Sequence, residues 1–152
     1  MSPRAAWRLE EIGFTRVYDY VAGKSDWGSF GLPLEGKTDS GTRVGSVVRA
    51  DAPRCRLDEL ASDVAERVGD EWQICVVTND KRIVLGLLGR RVLRADDSVR
   101  AEDAMSLGPS TIRPSARLEP VAQRMCDQGL TRIVVTRSDG VLVGVLRRED
   151  LS

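Results

Sequence analysis

The sequence predicts a mixed α/β (α+β) chain: two helix–strand–strand units packed as a pseudo-symmetric pair, with a short helix–strand appendage in front. Three observations carry this. The segment Cys75–Leu88 recurs as Ile133–Leu146 at a shift of 144 − 86 = 58 positions, with Val-Val-Thr, a glycine and a leucine identical in place. A helix-like run precedes each copy, Val64-Ala65-Glu66-Arg67-Val68 answering Val121-Ala122-Gln123-Arg124-Met125. Most of the aromatic residues gather ahead of both copies, at Trp7, Phe14, Tyr18, Tyr20, Trp27 and Phe30. Each repeat is one supersecondary block, too small to bury its apolar face alone, so the two pack on each other.

The elements follow in order. Arg4–Ile12 reads as a helix with Ala6, Leu9 and Ile12 on one side and Gly13 at its end. Phe14–Val21 reads as a strand and Gly23–Gly36 as an irregular, glycine-rich stretch. Residues 37–49 read as a linker that becomes a short strand at Val44–Val48. In the first repeat, Leu57, Leu60, Ala61, Val64 and Val68 define a helix over Leu57–Val68, with Asp58 near its positive end. Strands Gln73–Thr78 and Arg82–Leu88 follow, joined through Asn79-Asp80-Lys81. Ser98–Met105 reads as a short helix. In the second repeat, Leu118–Asp127 is the helix, Thr131–Thr136 and Val141–Leu146 are the strands, and Ser138-Asp139-Gly140 is the turn. The divisions are 1–36, 37–49, 50–97 and 98–152.

Composition narrows function. Lys+Arg and Asp+Glu balance at 23 each, so no global field draws in nucleic acid or an anionic membrane. No apolar run has the length of a membrane span or signal core. Three scattered cysteines, 55, 75 and 126, fit reduced thiols in a cytoplasmic protein. The chain has no histidine, which removes Ser-His and Cys-His catalysis and histidine metal sites. The reading is non-enzymatic, with no catalytic residue and no metal site.

The second repeat resembles a CBS domain, through Pro109-Ser-Thr-Ile-Arg-Pro114, the Leu118–Met125 helix, Ile133-Val-Val-Thr136 and Gly144-Val-Leu-Arg-Arg-Glu-Asp150-Leu151. Val99–Met105 is similar to the segment leading into such a domain. Two in tandem form a Bateman module, and the resemblance covers roughly residues 44–152. It implies a regulatory or sensory module that dimerises through its repeats. It also implies an adenosine-containing ligand, such as AMP, ATP or S-adenosylmethionine, in the cleft between them. Asp150 then matches the carboxylate that holds the ribose hydroxyls, and Thr111, Ile112, Arg132 and Ile133 match the segments that line the base. Arg147 stands where the family has a small hydroxyl residue and offers a charged fork to phosphate. In the first repeat Val92 replaces the aspartate and Gly89 the residue matching Arg147, so no ribose site is expected there. The alternatives are a ligand-free module that binds a protein partner, and a solvated Asp150, since the chain stops two residues later without room for a following helix.

Residues 3–36 resemble the C-terminal third of a rhodanese domain, through Pro3–Phe14, Val17-Tyr-Asp-Tyr20, Asp26-Trp27 and Gly31–Gly36. In that family a persulfide-bearing cysteine precedes the helix matching Arg4–Ile12, and no cysteine stands there. The resemblance thus implies a retained docking or dimerisation element, or a longer reading frame in which Met1 is internal. A remote reading makes the chain an accessory piece of a sulfurtransferase.

Other signals read as structural. Cys126 and Arg132 have the spacing of an anion-binding catalytic loop, but the order is helix into strand instead of strand into helix. Cys75 is a packing residue in a strand, and Cys55 a surface or packing residue. Arg90-Arg91-Val-Leu-Arg94 and Arg147-Arg148 read as solvated faces, and Asp96-Asp97 as linker acids without a partner for a metal.

Overall fold

The computed structural model describes residues 2–18, 20, 23–29, 32, 41–95 and 98–151. Two helices open the chain, α1 (Ser2–Glu11) and α2 (Gly23–Ser29). Gly13, at φ 101°, stops α1 as the sequence predicts. The strand expected over 14–21 does not form among its described residues, 14–18 and 20, and the stretch 23–29 is helical instead of irregular. A strand needs a neighbour for its backbone groups, and no described residue pairs with 14–18; a helix satisfies its own. The remainder of the expected irregular stretch, 30–31 and 33–36, lies outside the described residues, as does the Asp96-Asp97 pair.

Residues 42–49 are bound to the second repeat. Val44–Ser46 is a 3-10 turn, not the expected strand. The Val44 and Gly45 amides donate to the Ala116 and Pro114 carbonyls at 3.0 and 2.9 Å, which pulls the backbone out of an extended ladder. Arg49 then exchanges both backbone hydrogen bonds with Val145 at 3.0 Å each.

The first unit runs β1 (Arg54–Cys55), α3 (Ala61–Trp72), β2 (Ile74–Thr78), β3 (Val84–Gly89) and α4 (Arg90–Arg94). The second begins with α5 (Ala101–Ala104) and β4 (Ser106–Leu107). It continues through β5 (Thr111–Ile112), α6 (Leu118–Asp127), β6 (Arg132–Thr136) and β7 (Leu142–Arg147) to a closing 3-10 turn, Arg148–Leu151. Helix α6 has the expected bounds. Helix α3 starts four residues later than the apolar spacing suggests. Leu60 bridges Arg100, the Ala61 amide donates to Val99 at 2.8 Å, and Glu59 accepts from the Arg56 amide at 2.6 Å. Residues 57–60 are therefore committed to a turn, and Asp63 takes the first-turn position expected of Asp58. The helix also runs past Val68 to Trp72, with a break at Gly69. The expected Ser98–Met105 helix shrinks to α5 because Arg100 is extended and pairs with Leu60.

The strands form two sheets, in orders β1-β2-β3-β4 and β5-β6-β7. In each, a two-residue strand runs parallel to the first long strand, which pairs antiparallel with the next. The hairpins meet at Ile83 and Val141, equivalent positions of the two repeats. There the Val84 amide donates to Gly140 and the Leu142 amide to Arg82, at 3.1 and 2.9 Å. The pseudo-twofold relation passes through this contact.

The repeated glycine acquires a reason here. A Cβ on Gly144 would collide with the Arg49 carbonyl, and one on Gly86 would come within 2.6 Å of the Met105 sulfur and 2.9 Å of the Ser106 carbonyl. The segment leading into each repeat thus lies across the central strand of the other. The apolar interior follows the same exchange: Val134, Leu142 and Val145 join Val64, Val68, Cys75, Val76, Val77 and Leu88 in one cluster. A second cluster gathers Val44, Met125, Ile133, Val135 and Leu146 around α6.

Candidate functional site

A cleft of about 440 Å³ opens between the repeats. Ile74 and Leu87 supply its wall from the first repeat; Pro109, Ser110 and residues 128–134 supply the rest, with Arg124 above. Parallel pairing of β5 with β6 (Thr111 with Val134, Ile112 with Val135) brings residues 109–111 beside the start of β6. Among the described residues, the charged groups lining the cleft are Arg124 and Arg132, and no carboxylate lines it. Arg124 is tied to Gln128 at 3.2 Å. The Arg132 Nε is buried without a hydrogen-bond partner, its guanidinium reaching Thr131 through Nη1 at 3.4 Å. Two guanidinium groups along a cleft with apolar walls suit an anion with a flat apolar body.

Of the residues singled out in sequence, Arg132 and Ile133 line this cleft. Thr111 is exposed directly after Ser110, and Ile112 turns to the core around α6. Arg147 is the cross-strand partner of Arg132 in the β6–β7 register, which places both side chains on the same sheet face.

Arg147 and Asp150 form a closed pair. Arg147 Nε and Nη2 donate to the two Asp150 oxygens at 2.8 Å each, and the 3-10 turn sets the three-residue spacing. The expectation of a solvated Arg147 fails: it is 7% exposed, while Arg148 is exposed. Its guanidinium carbon lies 5.0 Å from the Trp72 ring centre and Nη1 reaches Glu71 at 3.3 Å, so first-repeat groups shield it from water. The solvated reading of Asp150 fails with it, since the carboxylate is 21% exposed and doubly bonded. Arg147 holds that carboxylate below its ordinary value, and Asp150 raises the guanidinium in turn. Arg49 lies 5.4 Å from the same indole and bonds Asp51 and Glu71.

At the positions equivalent to Arg147 and Asp150, the first repeat has Gly89 and the half-buried Val92, with nothing to hold a sugar. Arg90, Arg91 and Arg94 on α4 are exposed, as expected. Cys75 and Cys55 are buried at 0% and 2%, both packing residues. Cys126 is exposed on α6, with the helix-into-strand order intact. Sequence reasoning missed Ile74, Leu87, Trp72, Glu71, Arg124 and Arg49. Trp72, beside Ile74 and just past the apolar helical stripe, was the available signal.

Residues 101–152 match the CBS domain family. The cytosolic domain of the Mg2+ channel MgtE, in complex with ATP, superposes with a TM-score of 0.65 at 21% identity, over 72% of this chain and 47% of that one. CBSX2, a CBS-pair protein from Arabidopsis thaliana, in complex with AMP, superposes with a TM-score of 0.63 at 20% identity, over 73% and 93%. The fold is that of a CBS pair. Among curated proteins, an uncharacterized protein of Methanopyrus kandleri is 25% identical over 117 residues, and the match spans 60% of its length. Among the described residues, no helix is long and apolar enough to cross a membrane, and no three His, Cys, Asp or Glu side chains converge as metal ligands.

Proposed function

We propose that the chain is a non-catalytic regulatory CBS pair that takes an adenosine-containing ligand of the AMP, ATP or S-adenosylmethionine class in the cleft between its repeats. The observation that carries this is the inter-repeat cleft itself: apolar walls from Ile74, Leu87 and Ile133, the hydroxyl residues Ser110 and Thr131, and the arginines Arg124 and Arg132. The base lies against the apolar wall of Ile74 and Leu87 beside Pro109 and Ser110, and the phosphate or other charged end turns to Arg132. The ribose lies toward Asp150, whose carboxylate gives up one of its two Arg147 bonds to receive it. Complexes of MgtE with ATP and CBSX2 with AMP, proteins of this fold, support the ligand class.

Thermal unfolding with AMP, ATP, S-adenosylmethionine and NAD tests the reading. A ligand at about 100 times its dissociation constant adds roughly 2.7 kcal/mol, a readily visible shift. An unmoved midpoint with all four removes the proposal.

A second reading, docking of a protein partner, is favoured by the appendage. Trp7, Ile12, Phe14 and Tyr18 are exposed at 59%, 60%, 58% and 88%. Such a patch seeks a cover, either a second copy of the chain or another protein. Sedimentation separates the two: a dimer that survives Trp7→Glu places the subunit contact on the repeats, and one that dissociates places it on the appendage.

A further inference from the structure

Two of the three cysteines lie against each other in the first repeat. Cys55 sits opposite Val77 in the parallel β1–β2 register, and Cys75 lies two residues back on β2, so both thiols project from the same face of the sheet. Cys75 is sealed in the core, whereas Cys55 lines a cleft of about 270 Å³ with Arg54, Glu59, Arg67 and Thr78.

The diagonal register decides what this pair can do. Strand separation and a two-residue offset put the Cα atoms roughly 8 Å apart. That exceeds the ~7 Å beyond which a disulfide needs backbone movement. It suits a single ion held between two sulfurs, where two metal–thiolate bonds of about 2.3 Å bridge the gap. No third carboxylate, cysteine or histidine converges among the described residues, which disfavours a tetrahedral zinc site and leaves two soft donors alone.

We propose that Cys55 and Cys75 form a two-sulfur binding site for a monovalent, two-coordinate soft metal ion of the copper(I) class, entered through the cleft beside Arg67. Binding replaces both thiol protons: one ion and two thiols give a bis-thiolate complex and two released protons, with no change of oxidation state. Arg67, bonded to Glu59 at 2.5 Å, stands with it at the mouth of the site.

The test is competition for Cu(I) against a chromophoric copper(I) chelator, with the full chain kept reduced and carrying Cys126→Ser. The expected result is one ion per chain with thiolate-to-copper absorption in the ultraviolet. Cys55→Ser and Cys75→Ser should each weaken binding by more than the roughly 100-fold that losing a supporting outer partner costs. Cys55→Ala and Cys75→Ala, which keep the core apolar, should do the same while retaining the circular dichroism of the parent. X-ray absorption should show two sulfur neighbours. Copper retained by the folded alanine variants, or binding that disappears with Cys126→Ser alone, overturns the site. So does ready formation of a Cys55–Cys75 disulfide under mild peroxide, because it contradicts the spacing on which the site rests.

Discussion

The two repeats share a backbone plan and differ where their second long strand ends. In the first, β3 runs out at Gly89 into α4, and Val92 is half buried. In the second, β7 ends at Arg147, which clamps Asp150 and lies beside the first repeat's Trp72. Identical residues thus mark what both copies need to fold, and divergent ones mark where one copy acquired a polar site. The first repeat contributes the apolar wall of Ile74 and Leu87; the second contributes the arginines that line the cleft. The cleft is a joint product that neither half contains.

The largest expected effect probes the shared plan. Gly144→Ala places a methyl into the Arg49 backbone carbonyl, which cannot swing aside, and should cost at least the ~3 kcal/mol typical of severe overpacking. Gly86→Ala meets the flexible end of Met105 at 2.6 Å and the Ser106 backbone carbonyl at 2.9 Å, a milder clash, and should cost less, about 2 kcal/mol. Denaturant unfolding of both variants checks this, and a loss within about 0.5 kcal/mol of wild type in either would break the reciprocal-crossing account.

A middle-sized effect probes the divergent end. Asp150→Ala leaves the 7%-exposed Arg147 without its bidentate partner and should destabilise the ligand-free protein by about 1.5–3 kcal/mol. Val92→Ala, at the equivalent half-buried site, should lose only a partial apolar contact, about 1 kcal/mol.

Acid sharpens the same point. Arg147 lowers the Asp150 pKa in the fold, so the stabilisation is complete above the unfolded aspartate value of about 4. It is lost as pH falls through the lower folded value. The gap in stability between wild type and Asp150→Asn should be constant near neutrality and close below about pH 4. A gap that widens on acidification would reverse the sign. The smallest effect is the control: Arg90→Ala on exposed α4 should stay within about 0.5 kcal/mol.

The repeat, its helices and its long strands were legible because periodic apolar residues make those elements bury a face. The two-residue strands β1, β4 and β5 were not, since so short a run shows no alternation. Helix α3 shifted because residues 57–60 answer to Val99 and Arg100, partners about forty positions away that no local pattern reveals. At the site, sequence drew attention to Arg132, Ile133, Arg147 and Asp150, each on a repeated motif. It missed Trp72 and Glu71 because they matter through the packing of one repeat on the other. The closure of Arg147 on Asp150 is likewise a matter of geometry: both residues were visible, and their mutual bond was not.

Calorimetric titration of AMP and ATP into wild type, Arg132→Ala and Asp150→Ala tests the central claim most directly. The account predicts one site per chain for the ligand that binds, with affinity reduced about tenfold or more by each substitution and unchanged by Val92→Ala. Two equivalent sites per chain, or full affinity in both Arg132→Ala and Asp150→Ala, would contradict a single cleft built by the divergence of the repeats.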